Sequence, residues 1–244
     1  MNKLIHSEIR KLATTRWFKI TMAITIVMAP ALTLLGVFAN KRAPDVGDQE
    51  FVHGVLKVSV LSSLVLLGVG IATMAGEFRH GTSVPTFLIS PRRRDIVVAK
   101  LVTITGLGAA VGTISFGLAL AVAIPALGHK GVHHLTGDTP QMWVGAAVAT
   151  ALFGALGVAL GAITRNMVIA IVGAIGWTYV IEGAILTQAL PSASKWLPAG
   201  ANMAITHTGD GAGLLQPWVA LIVLITWVAA FGGVATRFVL RRDI

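Results

Sequence analysis

Six runs of apolar residues, each close to the roughly 20-residue helix that crosses a bilayer's hydrocarbon core, dictate what this chain can become. They cover residues 18–39, 55–75, 97–127, 142–163, 167–190 and 217–237. Unpaired backbone groups are too costly in lipid, and no ten-residue alternation of apolar and polar residues suggests a barrel, so each run is expected to be a helix. The remainder of the 244 residues is too short to add a folded catalytic domain. With 55% hydrophobic and only 12% charged residues, a water-soluble enzyme is excluded. The expected fold is all-α and integral to the membrane.

Charge orients the spans. The chain carries 19 Lys and Arg against 10 Asp and Glu, an excess that in a soluble protein would suggest nucleic acid. Here 14 of the basic residues fall on one side: Lys3, Arg10, Lys11, Arg16 and Lys19 at the start, Arg79, Arg92, Arg93, Arg94 and Lys100 between spans two and three, Arg165, and Arg237, Arg241 and Arg242 at the end. The other side holds five, Lys41, Arg42, Lys57, Lys130 and Lys195. The positive-inside bias then puts both termini in the cytoplasm, and no nucleic-acid partner is expected. Span one is too long for the h-region of a signal peptide and is expected to be retained.

Gly108-x-x-x-Gly112 in span three and Gly157-x-x-x-Gly161 in span four let helix backbones approach, and are read as packing within the chain in preference to a dimer interface. The absence of cysteine removes thiolate sites and disulfides.

Two features lie outside the spans. In residues 1–16, Leu4, Ile5, Ile9 and Leu12 keep helical spacing with Lys3, Ser7, Arg10, Lys11 and Thr14 opposite, as in an amphipathic helix on a membrane surface, with Trp17 as its interfacial anchor. In residues 76–96, Gly81 breaks the outgoing helix, Thr82 and Pro85 can start a short one, and Ser90 and Pro91 launch the helix of span three. A short helix crosswise between two spans results. Its Phe87, Leu88 and Ile89 call for cover from lipid or a partner protein.

The run Glu77-Phe78-Arg79-His80-Gly81-Thr82, then Pro85-Thr86-Phe87-Leu88, Pro91-Arg92-Arg93 and Lys100, resembles the cytoplasmic loop of type-2 ATP-binding-cassette (ABC) transporter permeases, especially those of actinobacteria. Ser7-Glu8-Ile9-Arg10-Lys11-Leu12 with Thr15-Arg16-Trp17, and Trp196-Leu197-Pro198 after span five, are similar to the same proteins, so the likeness runs over the whole chain. Arg94 departs from it, standing where a small residue is more usual. The resemblance implies a single permease domain over residues 1–244 of a bacterial cytoplasmic membrane, working as a dimer and exporting an apolar or amphipathic compound. Two copies of a separate ATPase subunit would hold ATP and Mg, with no cofactor on this chain. It also implies that residues 82–89 are the coupling helix. ATPase docking then falls to Glu77, Arg79, Thr82, Pro85, Phe87, Leu88 and Arg92, with Glu8, Arg10, Lys11 and Arg16 as an N-terminal contact. Spans two and five of both copies would line the path. The chain has no Gly-x-x-x-x-Gly-Lys-Ser/Thr segment of its own to cradle phosphates.

Glu182 is the one acid inside a span, with Tyr179 and Thr178 a turn before it. Such a group touches substrate or holds the bundle together, and the sequence leaves both readings open. His129, His133 and His134 share a glycine-containing loop and are not expected to bind metal. Residues 191–216, on the extracellular side, read as a short interfacial or re-entrant helix or as a plain loop. A secondary transporter or a non-transporting scaffold is the alternative to the exporter. An intramembrane hydrolase is disfavoured, because no His lies in a span and neither His-Glu-x-x-His nor Gly-x-Ser-x-Gly occurs.

Overall fold

The computed structural model describes residues 2–39, 60–79, 93–129, 137–206 and 213–241. Among these every regular element is helical: α1 (Asn2–Thr14), α2 (Arg16–Ala39), α3 (Val60–Arg79), α4 (Arg93–Gly128), α5 (Thr139–Thr164), α6 (Met167–Ala189), α7 (Pro191–Ser194), α8 (Pro198–Ile205) and α9 (Pro217–Arg241). Six of them, α2 to α6 and α9, are long and apolar enough to cross a membrane. They coincide with the six runs to within a few residues, except that 55–59 lie outside the described residues.

The bundle is built around α5. Its most apolar stretch is 72% buried, whereas those of α2, α6 and α9 are only 11–22% buried. The reason is residue size. Gly145, Ala146, Ala149, Gly154, Ala155, Gly157, Ala159, Gly161 and Ala162 leave little side chain to hold a neighbour away. Lipid is as apolar as a side chain, so helices associate by close contact and not by expelling water. A Cβ on Gly157 would overlap the Leu67 carbonyl oxygen of α3, and one on Gly70 of α3 would overlap the Gly154 carbonyl. On the other flank a Cβ on Gly112 of α4 would lie 2.7 Å from the Ala146 carbonyl. Both glycine motifs are thus used inside the chain. The hydroxyls of Thr150 and Thr73 find partners on their own helices, the carbonyls of Ala146 and Gly70, so neither is left bare in a medium without water.

Helix α4 has 36 residues and so runs about 54 Å, well beyond a hydrocarbon core of roughly 30 Å. Its first turns project past the apolar slab, and α1 packs there. Leu12 joins Phe18, Val97 and Ala235 in one apolar cluster, so the start of the chain and the end of α9 meet at this first end of the bundle. The face that α1 buries differs from its apolar stripe: Leu12 is buried, Ile9 is 43% exposed, and Glu8 is 5% exposed. Between α5 and α6 the turn is two residues. Arg165 takes a left-handed φ of 53° and Asn166 caps α6, its side chain accepting from the amides of Val168 and Ile169.

At the second end, the stretch 191–206 holds the short helices α7 and α8. Helix α8 is largely buried, through Ala199, Ala201, Asn202, Ala204 and Ile205, and the Asn202 amide donates to Ser63 at the start of α3 (2.8 Å). Residues 207–212 lie outside the described residues.

The backbone contacts of α5 set up a comparison between two glycines of the bundle. Gly157→Ala should destabilise the protein by at least about 1–3 kcal/mol, because backbone must move. Gly68→Ala, whose Cβ meets nothing within 4 Å, should leave stability unchanged or raise it. Thermal unfolding in detergent checks both; equal melting temperatures would contradict the packing.

Candidate functional site

Charge is buried at two places, one at each end. At the first end, Glu8 of α1, Glu77 at the end of α3 and Lys100 near the start of α4 close a ring with Lys11. Glu8 Oε1 accepts from Lys11 (2.8 Å) and Oε2 from Lys100 (2.6 Å), while Glu77 Oε1 accepts from Lys11 (3.3 Å) and Lys100 (3.1 Å). Charges alternate around the ring and sum to zero.

The Lys100 side chain is 4% exposed and that of Lys11 is 46% exposed, so the ring has a sealed side and an open one. Burial by itself would raise the Glu8 carboxyl, but attraction to Lys100 and its hydrogen bond, reinforced by Lys11, hold it below the ordinary value of 4.5. Burial likewise works against the charge on Lys11, and its two carboxylate partners outweigh it, raising the ammonium above 10.5. Close by, the Arg165 guanidinium sits over the Phe78 ring, 4.9 Å from its centroid, tying the α5–α6 turn to the same end.

Of the residues expected to dock a partner, the structure brings Glu8, Lys11 and Glu77 together and leaves Arg10, Arg16 and Arg79 exposed. Thr82, Pro85, Phe87, Leu88 and Arg92 lie outside the described residues, as do His133 and His134.

At the second end α6 changes its winding. From Gly176 to Leu186 it is a π-helix, and both the amide and the hydroxyl of Thr187 reach back five residues to the Glu182 carbonyl. Glu182 is the one buried residue of that segment, at 2% exposure. Its Oε2 accepts from the Ala199 amide at 2.7 Å. That amide belongs to the first turn of α8, where Leu197 offers no capping side chain and Pro198 has no N–H. Glu182 therefore caps a helix 17 residues away in sequence. Its other oxygen, Oε1, is shut off from solvent without a well-formed hydrogen bond among the described residues, while the Trp177 indole N–H is a second donor in reach of the carboxylate.

The Glu182 side chain borders two cavities. The larger, about 470 Å³, lies among α3, α5, α6, α8 and α9, with Leu67, Phe153, Trp177, Trp227 and Phe231 on its walls. The smaller, about 250 Å³, lies between α6, α7 and α8 and is more polar, with Thr187, Ser192 and Lys195. Tyr179 is 49% exposed and lines neither. No model of a known protein family matches the chain, and no curated protein does.

Sequence reasoning did not mark Lys100, Asn202 or Trp227 as site residues. A lysine among Ile96, Val97, Ala99 and Leu101 does demand a buried partner, which is the one signal that could have found it.

Lys100→Met would leave Glu8 buried beside a single half-exposed cation, weakening the seating of α1 by about 3–5 kcal/mol. Hydrogen exchange in α1 should rise accordingly. In the native chain the ring contributes fully between pH 4.5, the ordinary Glu8 value, and pH 10.5, that of Lys11. It weakens as pH falls through the lowered Glu8 pKa, and again as pH rises through the raised Lys11 pKa. A flat exchange profile in α1 from pH 3 to 7 would contradict this assignment.

Proposed function

We propose that this chain is the membrane-spanning permease subunit of an ABC exporter, moving an apolar or amphipathic compound such as an antibiotic, drug, peptide or lipid out of the cytoplasm. A separate nucleotide-binding subunit supplies the work from ATP and Mg. The observation that carries the reading is the ring of Glu8, Lys11, Glu77 and Lys100. It fastens together the two segments, the N-terminal helix and the base of the loop after α3, that the sequence resemblance makes contacts for an ATPase. A push on either segment reaches α4 through Lys100. Helix α4 is long enough to carry that push across the bilayer.

In this mechanism two copies of the chain stand side by side, both termini in the cytoplasm as the charge bias dictates. ATP draws the two ATPase subunits together, and segment 82–89, which the resemblance makes the coupling segment, follows them. The bundles then tip from inward to outward access, the energy coming from the different contacts that the loop makes with the two ATPase states. Support for where the tipping occurs comes from packing. Helix α5 with α3 and α4 is locked by backbone contact, while α2, α6 and α9 are held by much less burial.

Purification from the native membrane in gentle detergents should recover a stoichiometric protein bearing a phosphate-binding loop, in a complex whose mass shows two permease copies. If several detergents yield no ATPase and transport continues after ATP depletion, a secondary transporter or a scaffold becomes the better reading. Charge reversal at Arg79 and Arg92 together should reduce ATP-driven transport about tenfold or more while insertion is unchanged. Undiminished transport and ATPase binding would remove these residues from the interface.

A further inference from the structure

The larger cavity is walled by Leu67, Phe153, Leu156, Trp177, Trp227 and Phe231 and, among the described residues, has no Lys or Arg on its lining. Into this apolar space faces one carboxylate, Glu182, 2% exposed, with Oε2 occupied by the Ala199 amide and Oε1 without a well-formed hydrogen bond, the Trp177 indole being the other donor in reach. No cation stands within salt-bridge distance of it among the described residues; Lys195 lines the smaller cavity and not the larger. A carboxylate so placed takes either a proton or a positively charged guest. A single free oxygen is too few for a metal ion, which asks for six or more oxygen ligands if calcium. It is what one ammonium N–H needs.

The space is large enough for a drug-sized body, at about 470 Å³. Trp227 stacks on Phe231, their centroids 5.7 Å apart, and with Trp177 offers aromatic surface that attracts a cation as well as an apolar ring. An aminophospholipid also carries an ammonium, but its phosphate would find no basic residue on this lining. We infer that the cavity is a binding site for a hydrophobic organic amine in its protonated form, the N–H donating to Glu182 Oε1 and the apolar body lying against Trp177, Trp227 and Phe231. This names a substrate class for the exporter and rests on that reading only for the direction of travel. Because the same carboxylate caps α8 and separates the two cavities, the guest's charge acts where the larger space meets the more polar one.

The test uses the full chain in phosphatidylcholine nanodiscs, without any ATPase, titrated with dansylcadaverine, a primary ammonium on a fluorescent aromatic body. Its N-acetyl derivative is the neutral control. Saturable binding is expected, weakened about tenfold or more by acetylation. In Glu182→Gln, which keeps an acceptor for the Ala199 amide, the two dyes should bind alike. Trp227→Ala should weaken both dyes and preserve the preference for charge. Should the glutamine variant not fold, the comparison of the two dyes on the native chain still decides. Equal binding of the two dyes to the native chain, or none that saturates, overturns the proposal. Displacement of the dye by added phosphatidylethanolamine would give the site to a lipid headgroup and overturn it too. A chain that selects the amine but copurifies with no ATPase defeats the exporter reading and leaves this site standing; the reverse pair of results defeats the site alone.

Discussion

Between two helices in a bilayer there is no water to expel, so a bundle coheres only where backbones come close enough for dispersion and polar contacts to add up. In this protein that closeness is concentrated on α5, whose glycines meet the carbonyls of α3 on one flank and whose carbonyls meet the glycines of α4 on the other. Much follows from that placement. The three central helices behave as one post, and the helices around it, α2, α6 and α9, present Ile24, Val27, Val172, Ile175, Ile222 and Ile225 outward. Cavities form between post and periphery, and the one that Glu182 and Trp227 line lies there.

The ion ring solves a problem that the post creates. Helix α4 overruns the apolar slab, and a long unsupported overhang would fray. The ring seats α1 on it with four charges of alternating sign, and both oxygens of Glu8 are taken. Removing such charges from water costs several kcal/mol per ion, and the mutual attraction offsets this only because each oxygen of Glu8 has its own lysine donor. What the ring gains beyond stability is connection. It makes the first helix, the end of α3 and the start of α4 one mechanical piece.

Hydropathy made the six spans legible, because crossing hydrocarbon is a local demand that every residue of a span must meet by itself. The glycine motifs were legible as packing for the same reason, but their partners were not. Lys100 and Glu8 stand 92 residues apart, and nothing in either neighbourhood names the other. The amphipathic pattern of residues 1–16 reads as a lipid-facing stripe and Ile9 is exposed, but the burial of Glu8 beside Leu12 against α4 required the fold. Helix α8 escaped a firm reading because its buried face is made of alanines, which look the same in a loop. The π-winding of α6 is a tertiary outcome. Glu182 was legible as the one acid in a span; that its carboxylate caps α8 and separates two cavities required the fold.

Set side by side, the buried acids of the two ends differ in a way that composition alone does not show. Glu8 is fully engaged, lies in a ring of zero net charge, and is held by two lysines from two different helices. Glu182 has only neutral donors in reach, the Ala199 amide and the Trp177 indole, and no countercharge among the described residues. A group kept only for stability would be cheaper as glutamine, which could accept the Ala199 amide without the cost of a charge in an apolar wall. Its retention as an acid makes sense if some state of the protein supplies the missing positive charge. A fully satisfied ring is suited to transmitting force unchanged, whereas an unsatisfied carboxylate beside an empty apolar space is suited to responding to whatever arrives there.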